Sequence, residues 1–394
     1  MINIDSQNNG IPQYTLIATS SFGIESVVAQ ELKDLGYNEL TIDNGRVIFS
    51  GNEYDIARCN IWLRTADRVL IQMTEFKAND FEDLFQGTQS VRWEDIIPIN
   101  GKMHVIGKSV RSKLASVRDC QAIVKKAVVT AMGRKYRVNH FSETGPLYRI
   151  EISILKDKAT ITLDTTGSGL HKRGYREETG EAPLRENLAA ALVLLSRWKP
   201  DRVLADPLCG SGTIAIEAAL IGRNMAPGIN RSFVSENWQH MSGALWDDVR
   251  EDARKKMNNN SFRILAYDND GQVLRKARGN AARAGVGDLI VFQHQPVEDF
   301  RSARKYGRLI CNPPYGERIG DPEKAAKLYR SMGDVFSRLD SWSMFVLTAH
   351  PEFESYFGKK AHKNRKLYNG NMKCYFYEYF GPLPPRKSGN DGTV

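Results

Sequence analysis

Short apolar runs alternate with helical periodicity in the second half of the chain. Apolar runs bounded by turn residues predict buried strands, and the stretches between them have the spacing of helices. This alternation predicts an α/β domain with a doubly wound, mostly parallel sheet, and residues 366–367 with 371–380 predict a terminal antiparallel hairpin. The apolar runs cover residues 202–205, 262–267, 289–292, 307–311 and 341–348.

The first half lacks this regular alternation and is typical of α+β structure. We divide the chain into two α+β modules, a linker rich in glycine and charge, an α/β domain and a tail, over residues 1–65, 66–166, 167–181, 182–385 and 386–394. The pattern predicts strands over 14–19, within 60–76 and over 103–108, hairpins over 41–49 and 148–164, and helices over 24–35, 81–95 and 117–136.

The segment 206–213, Asp-Pro-Leu-Cys-Gly-Ser-Gly-Thr, joins a predicted strand to a predicted helix. Its two glycines remove side chains where a backbone approaches a ligand, and the N–H groups that open the helix face the same place. The segment contains neither the Gly-Lys-Ser/Thr of a P-loop nor the third glycine of the dinucleotide fingerprint Gly-x-Gly-x-x-Gly. A plain strand-to-helix turn is the alternative. We predict a cofactor cradle made by Asp206, Pro207, Cys209, Gly210, Ser211, Gly212 and Thr213.

An acidic segment, Asp268-Asn269-Asp270-Gly271, follows the second predicted strand of the α/β domain. An acid at the end of this strand binds the hydroxyls of a ribose in doubly wound folds. We predict that Asp268 has this role with Asn269 beside it, and Asp270 is the alternative. A helix N-cap suits Asp270 better than Asp268. The adenine contact is expected within 293–300, where several polar residues are equally good candidates.

The segment Asn312-Pro313-Pro314-Tyr315 follows a later apolar run of this domain. The exocyclic amine of a base is a poor nucleophile because its lone pair is delocalised into the ring. We predict that the Asn312 side-chain oxygen and the Pro313 carbonyl accept both amine hydrogens, that the prolines stiffen the loop, and that Tyr315 stacks on an extruded base. An ordinary Asn-Pro turn is the alternative. Together with the cradle, this segment predicts an S-adenosylmethionine-dependent methyltransferase.

Three segments, 164–176, 182–192 and 206–217, resemble the THUMP-domain RNA guanine-N2 methyltransferases. The resemblance is to the bacterial group similar to the N-terminal half of the 23S rRNA enzyme RlmL, and it spans nearly the whole chain. It implies a ferredoxin-like and a THUMP RNA-binding module ahead of a Rossmann-like catalytic domain. It also implies S-adenosyl-L-methionine as methyl donor and a guanine N2 in structured RNA as acceptor, with 23S rRNA or a ribosomal precursor as the expected partner.

Composition places further limits on function. The chain of 394 residues has no apolar stretch long enough to span a membrane, and its first residues lack the pattern of a signal peptide, so we expect a cytoplasmic protein. The five cysteines are scattered and form no Cys-x-x-Cys, which indicates neither a disulfide framework nor a metal site. Cys209 and Cys311 lie within the two motifs, where small packing residues are expected rather than nucleophilic thiols.

Positive charge is concentrated in one part of the chain. The net charge is +9, but residues 1–100 contain 7 Lys and Arg against 15 Asp and Glu, whereas residues 101–175 contain 15 against 5. Phosphate contacts are therefore expected in the second stretch. We predict RNA contacts at Lys108, Arg111, Lys113, Lys125 and Lys126, and a second basic group occurs at 359–366.

Two questions remain open in the sequence. Asn-Pro-Pro-Tyr binds an amine without specifying its ring, so a tRNA guanine N2 or an adenine N6 are alternative acceptors, and a non-catalytic RNA-binding assembly factor is the alternative class. An insertion over 230–246 contains Trp238 and Trp246, which either stack on RNA or anchor the core. We favour core anchors.

Overall fold

The computed structural model describes residues 12–176, 184–314 and 322–385. They form two compact units, of which the first contains residues up to 173 together with 226–257, and the second contains 174–225 together with the residues from 258 onward. The predicted tail, part of the predicted linker and Tyr315 lie outside the described residues. Within the described residues, no helix has the length and apolar character needed to cross a membrane.

A seven-stranded sheet organises the first unit. Its strands are β1 (Tyr14–Thr19), β2 (Thr41–Asp43), β3 (Arg46–Gly51), β4 (Arg68–Lys77), β5 (Lys102–Val110), β6 (Leu147–Leu155) and β7 (Lys158–Asp164). They lie in the order β2-β3-β1-β4-β7-β6-β5, with only β5 and β6 parallel. Because β4 pairs with β1 on one side and with β7 on the other, the two predicted α+β modules share one sheet.

Four helices of this unit are α1 (Glu25–Asp34), α2 (Glu53–Trp62), α3 (Phe81–Gln89) and α4 (Val117–Tyr136). The hydrophobic pattern predicted α1, α3 and α4 but did not predict α2. The start of α2 is fixed by a reciprocal cap, in which the Asn52 side chain accepts from the Asp55 amide and the Asp55 carboxylate accepts from the Asn52 amide. The predicted strand within 60–76 begins only at Arg68 because α2 continues to Trp62.

The predicted insertion, residues 230–246, packs into the first unit. The residues just before 226 and just after 257 belong to the second unit. Residues 226–257 contain α7 (Gly243–Lys255). Trp238 is 2% exposed, stacks on Tyr148 with ring centres 4.9 Å apart, and donates from its indole nitrogen to the Leu147 carbonyl at 3.0 Å. Trp246 is equally buried and stacks on Phe233. Both tryptophans therefore anchor the core, as we favoured, and neither offers a free ring to RNA.

The second unit contains the predicted doubly wound sheet. Its strands are β8 (Leu204–Asp206), β9 (Ile264–Asp268), β10 (Ile290–His294), β11 (Arg308–Cys311), β12 (Ser343–Thr348), β13 (Lys363–Asn369) and β14 (Met372–Tyr379), and its helices are α5 (Glu186–Leu195), α6 (Thr213–Gly222), α8 (Gly271–Arg283), α9 (Pro322–Ser337) and α10 (Phe353–Phe357). The strand order is β10-β9-β8-β11-β12-β14-β13. The first five strands in this order are parallel, and β14 with β13 forms the predicted antiparallel hairpin.

The chain reverses its direction of winding between β8 and β11. From β8 it proceeds to β9 and β10 on one side, and it then returns to β11 and β12 on the other side. Ligands of such sheets bind outside the carboxyl ends of the strands at this switch point. Asp206 ends β8 and Asn312 follows β11, so the two sequence motifs meet at the expected place.

Candidate active site

The glycine turn between β8 and α6 is open to a ligand. Gly210 has φ +53° and Gly212 has φ +81°, a region that favours glycine. A methyl group added at Gly210 would meet no atom within 4 Å, whereas one added at Gly212 would lie 3.2 Å from the side chain of Ala277. Gly212 therefore allows α6 and α8 to pack closely, and Gly210 leaves space over the turn.

Asp206 lies beneath this turn and is 1% exposed. One of its carboxylate oxygens accepts from the amide of Leu208 at 3.2 Å. Burial raises the pKa of the Asp206 carboxyl well above its usual range, and the neighbouring Asp268 raises it further, while the Leu208 amide opposes the rise. A cation bound above the turn would compensate the buried charge of Asp206.

Asp268, at the end of β9, connects this strand to the glycine turn. Its Oδ2 accepts from the amide of Gly210 at 2.9 Å, and its Oδ1 accepts from the amide of Asp270 at 3.0 Å. Asp270 instead caps α8 by accepting from the amides of Gln272 and Val273. Asp268 thus faces the glycine turn, whereas Asp270 begins a helix. This is the difference between the two acids that the sequence suggested.

One cavity of about 910 Å³ joins the turn, the end of β9 and the loop after β11. Most of the predicted cofactor and catalytic residues line it. They are Asp206, Cys209, Gly210, Ser211, Thr213, Asp268, Asn269, Asn312 and Pro314. Pro207, Gly212 and Pro313 are not in its lining. Pro207 and Gly212 belong to the backbone of the glycine turn, and Pro313 is buried in the loop after β11.

The cavity is also lined by basic residues that lie outside the two sequence motifs. Arg176 is mostly buried, donates to the Thr213 hydroxyl at 2.6 Å and to the Leu184 carbonyl at 3.2 Å, and lies 3.5 Å from Glu186. It therefore connects the start of α5 to the start of α6. Its only sequence signal was its place in the family-like segment 164–176. Further basic residues in the lining are Arg275, Lys276 and Arg283.

The loop after β11 contains a buried acceptor. The side-chain oxygen of Asn312 is inaccessible to solvent and accepts no hydrogen bond within the described part of the chain. The carbonyl of Pro314 accepts from the Tyr329 hydroxyl at 3.4 Å, which ties the loop to α9. A buried polar group without a partner is costly. The Asn312 oxygen therefore has the capacity to accept a hydrogen bond from a ligand.

The two motif cysteines are packing residues. Cys209 and Cys311 are buried, and burial, followed by the negative charge of Asp206, raises the pKa of both thiols well above the usual range. A thiol in this state is a weak nucleophile. Among the described residues, no three His, Cys, Asp or Glu side chains cluster in a way that would hold a metal ion.

The five predicted RNA-contact residues differ in whether their charged groups already have partners within the protein. Lys108 pairs with Glu151 at 2.9 Å but remains 62% exposed, and the Lys126 ammonium lies 5.8 Å from the ring centre of Phe85. Arg111 and Lys113 are exposed. Lys125 is different, because its half-buried ammonium pairs with Glu143 and donates to the Met103 carbonyl at 2.6 Å.

This geometry fits S-adenosylmethionine in several respects. The space over Gly210 can admit a ligand. The carboxylates of Asp206 and Asp268 suit the cationic and ribose-diol parts of S-adenosylmethionine, and the Asn312 oxygen suits an amine brought to the same cavity. A doubly wound sheet with a terminal antiparallel hairpin, and a cavity of this kind at its switch point, suit a methyltransferase that uses S-adenosylmethionine.

Three family profiles match almost the whole chain. Residues 173–378 match the RMKL-like methyltransferase domain, residues 15–70 match the RlmL ferredoxin-like domain, and residues 78–164 match the THUMP domain. The chain therefore belongs to the RlmL-like family of RNA methyltransferases, and the resemblance found in its sequence is confirmed.

Individual relatives agree with this family. The chain is 51% identical to the Bacillus subtilis protein "Putative RNA methyltransferase YpsC" over 97% of its own length and 100% of the relative. It is 34% identical to the Syntrophotalea carbinolica "Ribosomal RNA large subunit methyltransferase K/L", covering 96% of this chain but only 56% of that protein. The solved structure of "SMU.472, a putative methyltransferase complexed with SAH" is 44% identical with a TM-score of 0.89, over 95% of this chain and 99% of that one.

Proposed function

We propose that this protein transfers a methyl group from S-adenosylmethionine to the exocyclic N2 of a guanine in 23S rRNA. The observation that carries the chemical part is the Asn312 side chain, which lines the cofactor cavity and whose oxygen is buried with no partner among the described residues. An amine hydrogen that reaches this oxygen would supply the donor that it lacks. A ribosomal substrate further implies that the enzyme works in the cytoplasm.

The residues of the loop explain how a weakly nucleophilic amine is made reactive. S-adenosylmethionine supplies an electrophilic methyl group and leaves as a neutral thioether. The Asn312 side-chain oxygen and the Pro313 carbonyl each accept one amine hydrogen, which favours a pyramidal nitrogen with a localised lone pair. Pro313 and Pro314 hold the loop in place, and Tyr329 supports it from α9. No general base is needed before the transfer, since the proton leaves the nitrogen afterwards.

The choice of RNA rests on two independent features. The THUMP-matching residues 78–164 lie largely within the stretch 101–175, which contains 15 Lys and Arg against 5 Asp and Glu. Phosphate contacts are expected there. The choice of large-subunit rRNA rests on the K/L relative, of which this chain spans about half. A tRNA guanine and an adenine N6 use the same amine chemistry and are the acceptors to be distinguished.

The test is methylation of RNA from a strain that lacks this gene. The purified protein and radiolabelled S-adenosylmethionine are incubated with deproteinised 23S rRNA, 16S rRNA, tRNA and large-subunit precursors, and the modified nucleoside is identified by mass spectrometry. We expect N2-methylguanosine in 23S rRNA or its precursor, and none with the same RNA from the parent strain. N6-methyladenosine would overturn the assignment of the base, and label in tRNA alone would overturn the assignment of the RNA. Label in no RNA would favour an assembly factor.

A further inference from the structure

One face of the hairpin β13–β14 carries two lysines and two tyrosines in a checkerboard. Lys366 lies directly opposite Tyr375, and Tyr368 lies directly opposite Lys373. Residues opposite each other in an antiparallel pair share a face of the sheet, so the four side chains project together. The Lys366 ammonium lies 5.5 Å from the centre of the Tyr368 ring, and the Lys373 ammonium lies 5.0 Å from that of Tyr375. We call these four residues the Lys–Tyr patch.

The opposite face of the same hairpin has a structural role. Leu367, Cys374 and Phe376 are fully buried there. Arg365 is also on this face and pairs with the buried Glu378 at 2.7 Å. In the patch, by contrast, both lysines are exposed and both tyrosines are only half-buried. Glu378 is the only acid within the two strands, and Arg365 neutralises it on the other face. The positive charge of the patch is therefore not compensated by an acid of the hairpin.

The patch lies at the same edge of the sheet as the active site. Tyr375 pairs with Thr348, the last residue of β12, so the hairpin turn extends beyond the carboxyl ends of the parallel strands. The Thr348 hydroxyl lies 3.2 Å from the Tyr329 hydroxyl, which also supports Pro314 of the catalytic loop. Since β14 is two strands from β11, the patch begins about 10 Å from that loop at ~4.8 Å per strand.

The turn of the hairpin also contacts a segment of the cofactor cavity. The side-chain oxygen of Asn369 accepts from the amide of Arg185 at 3.3 Å. Arg185 follows Leu184, which lines the cavity. The position of the patch is therefore fixed relative to the catalytic loop through β12 on one side and relative to the cofactor cavity through its turn on the other.

We propose that the Lys–Tyr patch holds the single-stranded RNA next to the methylated nucleotide. This inference rests on the proposed RNA substrate. A base that reaches the buried Asn312 oxygen has left its stack, and each neighbouring base has then lost one stacking partner. Proteins that bind such strands without reading their sequence combine aromatic ring faces for the bases with cations for the phosphates. The checkerboard supplies both, whereas a duplex keeps its base faces covered.

The test compares hairpin variants of the full-length protein. Tyr368→Ala removes a stacking face, Tyr368→Phe retains it, and the double variant Lys366→Ala/Lys373→Ala removes both patch charges. Lys363→Ala is the matched control, because Lys363 is an exposed lysine on the other face of β13, at the end away from the active site. Binding of a short single-stranded oligoribonucleotide and of a duplex of the same length is measured by fluorescence anisotropy over a range of salt concentrations.

We expect Tyr368→Ala to weaken single-strand binding at least about fivefold, and Tyr368→Phe to restore most of it. The double lysine variant should lower the salt slope by about 1.4, at ~0.7 for each phosphate of a single strand that the protein no longer neutralises. Lys363→Ala and the duplex should change much less. Cofactor affinity and melting temperature should be unchanged in every variant, which separates a local effect on RNA binding from a misfolded hairpin.

Wild-type affinity of Tyr368→Ala and of the lysine pair for the single strand would overturn the proposal. Equal losses of affinity for strand and duplex would also overturn it, since they would indicate a general electrostatic surface. These results are independent of the methylation assay. If the protein methylates no RNA, the proposed function fails while the binding data still decide whether the patch holds a single strand.

Discussion

The two sides of the cofactor cavity differ in how their polar groups are satisfied before any ligand binds. On the cradle side, both carboxylate oxygens of Asp268 already accept backbone N–H groups, from Gly210 and Asp270. On the catalytic side, the Asn312 oxygen is buried and has no partner among the described residues. The turn at residues 206–213 is thus held in shape by its own hydrogen bonds. The loop after β11, by contrast, contains an acceptor that has no partner among the described residues.

A polar group that already has its hydrogen bonds and one that lacks them contribute differently to binding and to catalysis. A group that is satisfied within the protein shapes the site and contributes to binding, and its removal also disturbs its neighbours. A buried group without a partner costs stability, typically about 1–3 kcal/mol, until a ligand completes it. Removing it should therefore harm the reaction without harming the fold. Four sets of variants test this distinction, in order of decreasing effect.

Asn312→Ala should reduce the single-turnover rate of methyl transfer at least about a hundredfold, because an aligned polar contact in a transition state is worth about 2.7–4 kcal/mol. Cofactor affinity by calorimetry should stay nearly unchanged, and the melting temperature should not fall. Asn260→Ala, at an exposed asparagine of the same unit, is the control. A normal rate for Asn312→Ala would remove Asn312 from the mechanism and end the contrast between the two sides.

Asp268→Ala should weaken S-adenosylmethionine binding by about 1.5–3 kcal/mol, the usual value of a hydrogen bond to a charged group. The variant also releases the Gly210 amide, so part of the loss comes from the turn itself. Asp268→Asn keeps an acceptor for that amide and should lose less. Calorimetry measures both variants. If neither changes the affinity and Asp270→Ala does, the ribose contact belongs to Asp270.

Asp206→Asn should raise the melting temperature in the absence of cofactor by about 2–4 °C, the shift that roughly 1 kcal/mol gives in a domain of this size. The pKa of Asp206 is raised on folding, so the folded state holds the proton more tightly than the unfolded state. Stability is therefore lost as pH rises from the unfolded value, about 3.9, towards the raised folded value.

The amide of Asp206→Asn cannot ionise, so this pH-dependent loss should disappear in the variant, while affinity for the cationic cofactor should fall. Melting curves from about pH 4 to about pH 8 and calorimetry measure the two effects. Asp201→Asn, at an exposed acid before β8, is the control. A lower melting temperature at neutral pH would show that the Asp206 carboxylate stabilises the empty fold.

The smallest effects are expected for the basic residues of the first unit. There too, some side chains already have partners within the protein and others are exposed. Arg111 and Lys113 are exposed, so Arg111→Ala/Lys113→Ala should lower the salt slope of RNA binding by about 0.9 for each duplex phosphate that is no longer neutralised. Lys125 is already engaged by Glu143 and by the Met103 carbonyl. Lys125→Ala should therefore lower the melting temperature and leave the slope nearly unchanged. A large change of slope in Lys125→Ala would mean that RNA replaces its internal partners.

The local structure of the methyltransferase domain follows from short stretches of the amino-acid sequence. Two glycines within residues 206–213 adopt the predicted turn with positive φ, an acid followed by Gly271 begins α8, and prolines after Asn312 end β11. These outcomes depend on a few neighbouring residues, whose steric and hydrogen-bonding preferences are independent of the rest of the fold. The alternation of apolar runs and helices similarly determined the doubly wound sheet. Tyr315 lies outside the described residues, and its stacking role remains a prediction.

Which polar and aromatic residues are available to a ligand depends instead on the three-dimensional packing. Trp238 and Lys366 both belong to stretches where aromatic and basic residues are interleaved, yet Trp238 is buried against Tyr148 and Lys366 is exposed beside Tyr368. Lys125 and Asn312 are polar residues of ordinary appearance, and only their neighbours show that the first is satisfied and the second is not. The physical reason is that burial and hydrogen-bond satisfaction depend on residues distant in the chain, whereas turns and caps depend on residues next to each other.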